Sequence, residues 1–154
     1  MDWDAIGAVG EILGAIAVVT TLIYFGRQIS QANRISTATG ARELQQMYTH
    51  VYTLIATNPE IRGLVTRLQN PDYVVQSAEE QEQIDSFIPL LTGIWVTTAI
   101  AHEQGLISPY MYRLYCADVP VKLAKWPGLR PHVLDFVRTY PSTEHYEIFR
   151  DLYS

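Results

Sequence analysis

Glu11 is the one charged residue in the 21-residue apolar run from Ala5 to Phe25. A carboxyl group in such a run has three chemical options. Protonated, it hydrogen-bonds across to another helix, since burial away from water raises a carboxyl pKa. Ionised and repeated around an axis, it lines a pore as a ring of carboxylates, as in cation channels. Near the end of the run, it simply reaches the outer headgroups. The other candidate groups are sparse. The four histidines, His50, His102, His132 and His145, contain no i, i+4 pair, and HExxH is absent. His102 and Glu103 offer a base beside an acid, but adjacent helical residues point in different directions. Cys116 is the single cysteine, which rules out an intrachain disulfide and any cysteine-built metal site. Neither a G-x-S-x-G elbow nor a phosphate-binding glycine loop occurs. No catalytic residue, cofactor site or metal site is therefore expected, and the chain reads as a non-enzyme.

The element that must hold Glu11 is a helix of about 32 Å, long enough to cross the hydrocarbon core of a bilayer. A cleaved signal peptide fits poorly. Asp2 and Asp4 stand where a basic segment would be, and the apolar run continues past the small residues Ala15-Ile16-Ala17. Arg27, Arg34 and Arg42 follow the run, so the positive-inside bias places the C-terminal body in the cytoplasm. Trp3 and Tyr24 fall near the two interfaces, where amphipathic rings are favoured.

Within the span, Gly7, Gly10, Gly14, Ala17 and Thr21 are spaced 3, 4, 3 and 4 residues apart. That spacing gathers small side chains on one stripe beside Glu11 and includes a GxxxG pair. In lipid, helices associate through close backbone approach and interhelical hydrogen bonds, and small residues permit that approach. The stripe predicts self-association, with Glu11 directed at a neighbouring subunit or a lumen.

The rest of the chain reads as helical. Residues 26–56 continue out of the membrane with a polar exit and then a stripe of Leu44, Met47, Tyr48, Val51, Leu54 and Ile55, with Gly40 as a point of weakness. Asn58-Pro59 starts a short helix to about Gln69, and Asn70-Pro71-Asp72 stops it. Ser77-Ala78-Glu79-Glu80 matches a capping box and opens a long helix that Pro89 should kink and Gly105 should end. Its stretch from Ser86 to Ala101 is uncharged, but it is short for a span and holds Pro89 and Gly93, which favours a buried core helix. Ser108-Pro109 starts another helix, limited by Pro120. Trp126-Pro127-Gly128 is a turn, and two short helices are expected over 129–139 and 143–153. The expected fold is all-α: residues 1–28 form a transmembrane helix and its flanks, and residues 29–154 a cytosolic domain of about five helices.

Net charge is −5 with a pI near 5.3, which argues against nucleic acid as a partner. Charge is uneven: Asp72, Glu79, Glu80, Glu82 and Asp85 form an acidic stretch, while Arg113, Lys122, Lys125, Arg130 and Arg138 outnumber Asp118 and Asp135. These segments are solvated helix faces, or they meet across subunits, or the basic one attracts the anionic inner leaflet.

The opening Trp3-x-Ala5-Ile6-Gly7-Ala8-Val9-Gly10-Glu11-Ile12-x-Gly14-Ala15-Ile16-Ala17-Val18 resembles a widespread set of small bacterial membrane proteins of unknown function. The exit Arg27-Gln28-Ile29-Ser30-Gln31, the Asn58-Pro59-Glu60 turn and the stretch Glu103-Gln104-Gly105-Leu106-Ile107 are similar too. The likeness is firm over residues 3–34 and looser beyond. It implies a bacterial inner-membrane location and makes Glu11 part of the motif, and it carries no activity. Taken together, the sequence leads to a homo-oligomeric inner-membrane protein, N-terminus periplasmic, whose partners are its own copies and membrane lipids and whose cytosolic domain is a scaffold or interaction module. The alternative is an oligomeric channel with Glu11 lining the lumen.

Overall fold

Three loop residues set the helix starts of the C-terminal part of the chain. The Asn58 side chain accepts from the Glu60 and Ile61 amides at 2.9 and 3.3 Å, Ser77 from the Glu80 amide at 3.1 Å, and Ser108 from the Met111 amide at 3.2 Å. Each bond satisfies a donor that a helix N-terminus leaves open, a contribution of about 1 kcal/mol. Pro59 and Pro109 occupy the first helical positions, where no amide donor is needed.

The computed structural model describes residues 3–140 and 146–152, without the side chains of Ala5, Ile6 and Asp151. The described residues form α1 (Trp3–Thr57), α2 (Pro59–Arg67), α3 (Ala78–Glu103), α4 (Pro109–Cys116), α5 (Asp118–Lys125) and α6 (Arg130–Thr139), with 3-10 turns at Pro127–Leu129 and Glu147–Leu152. No strand occurs among them. The fold is all-α, a long apolar N-terminal helix plus a helical domain. By internal contacts the chain divides into two units, Met1–Ser36 and Thr37–Ser154.

The second unit is organised around α3. This helix is apolar on nearly every face, and such a helix must be enclosed. Ile84, Phe87, Ile88, Leu91, Ile94, Trp95 and Ala99 are all buried, and α2, α4, α6 and the Glu147–Leu152 turn pack on α3. Trp95 is fully buried, with Phe149 edge-on at a centroid distance of 6.3 Å. Two helices, α1 and α3, are long and apolar enough to cross a bilayer by length and composition. They differ in surroundings. Of the most apolar window of α3, 56% is buried inside the domain, whereas that of α1 is wholly unburied.

Several local outcomes depart from the expected pattern. Gly40 does not weaken α1, which runs through it. A Cβ there would lie 2.7 Å from the Leu106 carbonyl oxygen, so the glycine marks a close approach of another segment. That segment is held by the end of α3: the Gly105 and Leu106 amides bond back to the His102 and Ala101 carbonyls at 2.9 and 2.8 Å, with Gly105 at φ +69°. This is a Schellman ending. The helix begun at Ser108 stops at Cys116, because the ring of Pro120 would collide with the carbonyl four residues back. Pro120 instead sits harmlessly in the first turn of α5. The described part of the expected helix over 143–153 is a 3-10 turn, and residues 143–145 and 153 lie outside the described residues. At three residues per turn, positions i and i+3 eclipse. Buried Phe149 and Leu152 stack inward that way, and Glu147 meets Arg150 at 3.5 Å outside.

Gly128 is the tightest point in the domain. Its amide donates to the Leu68 carbonyl at 2.9 Å, and a Cβ would meet the Asn70 oxygen at 2.7 Å and Tyr73 Cβ at 3.0 Å. Gly93, inside α3, has nothing within 4 Å of a would-be Cβ. Gly128→Ala is therefore expected to destabilise the domain by about 1–3 kcal/mol through forced displacement. Gly93→Ala should stabilise it by up to about 1 kcal/mol through helix propensity. Denaturant unfolding of the two variants must shift in opposite directions, and shifts of the same sign would contradict this packing.

Candidate functional site

The first unit presents two faces. At about 100° per residue, Gly7, Gly10, Gly14, Ala17 and Thr21 fall within an arc of about 80°. Val9, Ile12, Ile16, Val19 and Ile23 fall in a similar arc, centred about 160° away. Every described side chain from Gly7 to Ser36 is exposed, including these bulky residues. The small face is open: a Cβ at Gly7, Gly10 or Gly14 would meet nothing within 4 Å. Thr20 and Thr21 donate to the Ile16 and Ala17 carbonyls, each at 2.8 Å, so neither hydroxyl demands an outside partner. Glu11 is exposed and lies about 40° from Gly7 around the helix, at the edge of the small face. At the far end of the apolar run, Gln28 donates to the Tyr24 hydroxyl at 2.7 Å.

The ionisable groups of the second unit mostly serve its own packing. Lys122, which the sequence places in a basic surface segment, is buried. Its ammonium donates to the Tyr52 hydroxyl, lies 3.3 Å from Asp118 Oδ1, and sits over the rings of Tyr52 and Trp126. Burial pulls its pKa down, but the Tyr52 hydroxyl and Asp118 outweigh that, and the net direction is upward. Lys122 is thus held as a cation and is no nucleophile. Next to it, Tyr48 stacks on Tyr115 at 4.7 Å, and burial, with Asp118 next, pushes its hydroxyl far above the usual range.

Glu80 likewise leaves the acidic surface stretch. Its carboxylate accepts from the Gln76 amide at 2.7 Å and meets Arg67 Nε at 2.5 Å, and its pKa is lowered by the Gln76 bond first, against an opposing desolvation. The reciprocal bond of the capping box therefore goes to Gln76, one residue before the Ser77 cap. The i, i+4 spacing of Asp118 and Lys122 was the available signal for the first cluster. For the second, no spacing links Arg67 to Glu80.

His102 lies flat on Tyr112, with ring centroids 4.1 Å apart and planes at 11°, which is a packing role. His50 borders an apolar groove, and His145 lies outside the described residues. Among the described residues, no three His, Cys, Asp or Glu side chains gather as a metal-holding group. His132 borders a groove of about 360 Å³ with Asp85, Asp135 and Phe136. Burial lowers its pKa from the ordinary 6.5, and Asp85 and Asp135 oppose that.

A histidine with a depressed native pKa stabilises the fold fully above its unfolded pKa, and that contribution is lost as pH falls through the native one. Wild type is therefore expected to lose stability between pH 7.5 and 5.5, a window above the usual range for carboxylates. His132→Gln should lose less over the same interval. Urea midpoints at the two pH values measure this, and equal losses would remove His132 as the cause.

Together, the described geometry offers an exposed helix face of small residues and a domain in which buried Lys122 and Glu80 are paired with Asp118 and Arg67. No protein-family model, curated protein or solved structure matches the chain.

Proposed function

We propose that this chain is a membrane-anchored, non-enzymatic scaffold that assembles with copies of itself through the Gly7/Gly10/Gly14/Ala17/Thr21 face. Residues 5–25 cross the bacterial inner membrane, the N-terminus is periplasmic, and the helical domain is the cytoplasmic working surface. The observation that carries this reading is the pair of opposed faces on one exposed apolar helix. The Val/Ile face suits lipid tails, and the small face suits another backbone. Lipid and further copies of the chain are its partners, and its acidic balance makes nucleic acid an unsuitable one.

Glu11 fits the same arrangement. A central Asp, Lys or Arg facing lipid costs on the order of 2.5–3.5 kcal/mol on insertion scales, and this cost recurs in every copy. Beside the small face, the carboxyl reaches a neighbouring helix or a shared lumen, where a hydrogen bond offsets part of that cost. Gly10→Leu and Gly14→Leu are expected to reduce oligomer size in detergent, read by mass photometry. An unchanged size sinks the proposal.

A second reading follows from the position of Glu11 at the edge of that face. Several copies would place the carboxylates around an axis, making a cation pathway. Wild-type protein in planar bilayers should then conduct, and Glu11→Gln should lower cation conductance. A silent wild-type assembly would leave the scaffold alone standing.

A further inference from the structure

The groove between α3 and α6 gathers hydrogen-bond acceptors and no basic side chain. Asp85 and Pro89 of α3 and Asp135 and Phe136 of α6 border it, and buried Ile84 and Ile88 give it an apolar base. Its volume of about 360 Å³ is on the scale of a small-molecule site. The lining positions recur at helical intervals from 81 to 89 and from 132 to 140, so each helix contributes one face. The two helices run in the same direction. The Gly128 amide just before α6 bonds the Leu68 carbonyl, and the His132 ring lies 6.4 Å from Tyr73, both partners preceding α3. Asp85 and Asp135 thereby stand on opposite walls, near the middle of a trough about 12 Å long.

Local bonds leave the charge of both walls in place. Gln81 donates to Asp85 Oδ1 at 2.7 Å, which steadies that carboxylate without neutralising it. Thr139 donates to the Asp135 carbonyl at 2.9 Å and not to its carboxylate. Pro89 has no amide to return to the Asp85 carbonyl, so a backbone acceptor on the α3 wall lacks its i+4 donor. Burial holds the His132 pKa below its ordinary value, so the imidazole adds no positive charge at pH 7.5. Among the described residues, no Lys or Arg lines the groove. The complementary occupant is a cation. A metal ion does not fit, because no three described His, Cys, Asp or Glu side chains gather closely enough to hold one. The cation must therefore reach from wall to wall. A guanidinium does so, being planar with five N–H donors in a fork, and its weak hydration lets it lie against apolar and aromatic groups. The rings of Phe136 and Tyr140, with centroids 4.8 Å apart, supply such a surface at one end. An ammonium has three donors around one point and holds its water more strongly, so it suits the groove less.

We infer that the α3–α6 groove binds a small molecule bearing a guanidinium group, held between the Asp85 and Asp135 carboxylates with its flat face toward Phe136. The site lies within one helical domain and does not depend on assembly through α1. Ligand-observed NMR titrations of the full-length protein in detergent, at pH 7.5 and low salt, test it. The probes are L-argininamide, L-lysinamide and L-citrullinamide, whose side chain has the guanidinium's shape without its charge. Argininamide is expected to bind saturably, lysinamide more weakly, and citrullinamide no more than it does to empty micelles. Asp85 and Asp135 are exposed, so Asp85→Asn and Asp135→Asn should each weaken argininamide binding by about two- to fivefold, as for other exposed ion pairs. Glu79→Gln, on α3 but outside the groove, should leave it unchanged. Equal binding of argininamide and lysinamide would overturn the choice of guanidinium, and saturable citrullinamide binding would overturn the role of charge. No saturable argininamide binding, or binding indifferent to both Asp variants, would overturn the site itself. Much tighter binding of the peptide Ala-Arg-Ala than of argininamide would overturn a small-molecule occupant in favour of a protein segment.

Discussion

An α-helix with apolar side chains on every face must be enclosed on every face, and this chain contains two such helices. For α3 the enclosure is internal: α2, α4, α6 and the C-terminal 3-10 turn cover it, and Trp95 at its centre is fully buried. The domain is in effect the set of short helices needed to cover α3, each too short to be stable alone. For α1 between Gly7 and Ser36 no described side chain supplies cover. Bulky residues there leave more than half of their surface open, Ile12 at 60% and Val19 at 55%. The hydrophobic effect, roughly 25 cal/mol per Å² of apolar surface, makes that surface untenable in water. In the proposed assembly, lipid on the bulky face and other helices on the small face would supply that cover.

Polar groups in the domain follow the same accounting of cover. Helices α2, α3 and α4 each begin at a side chain that accepts their first amides, and Glu80 and Lys122, drawn inside, are paired. Glu80 closes the start of α3 and at the same time holds Arg67 at the end of α2, joining two helices with one carboxylate. Lys122 is anchored by Asp118 one turn back and by Tyr52 on α1, tying α5 to α1. Breaking either pair would leave a buried charge alone, which costs far more than the intact pair contributes. These pairs fix which helix lies beside which.

Much of this was legible in the sequence because it is local. The caps at Asn58, Ser77 and Ser108, the stop at Gly105 and the helical period of α3 depend on neighbours within four residues. The burial of residues 86–101 was also readable, since Pro89 and Gly93 suit a packed helix better than a lipid-exposed one. What was not legible depends on distant segments. Gly40 looks like a helix breaker until Leu106 is found against it, and Lys122 looks like a surface charge until Tyr52 is seen above it. The ending of α4 at Cys116 required counting four residues back from Pro120, which is local but easily misplaced. For the span, spacing alone yields the opposed faces, whereas what meets them is not written in one chain.

The glycines separate these two kinds of constraint. Gly40 and Gly128 are required by the chain itself: another backbone oxygen stands 2.7 Å from where each Cβ would be. At Gly7, Gly10 and Gly14 nothing among the described residues stands within 4 Å of a would-be Cβ. Each mid-helix glycine costs about 0.5–1 kcal/mol relative to alanine on aqueous scales. Three in eight residues therefore weaken the helix with no compensating contact among the described residues. A second helix at close range is the arrangement in which the missing side chains become useful, because backbones approach only where no Cβ intervenes. In the proposed assembly Glu11, set at the border of that face, would stand where a neighbour's backbone or a shared aqueous axis takes its hydrogen bond. In the proposed assembly, the same three glycines that cost the isolated helix stability would let another copy approach.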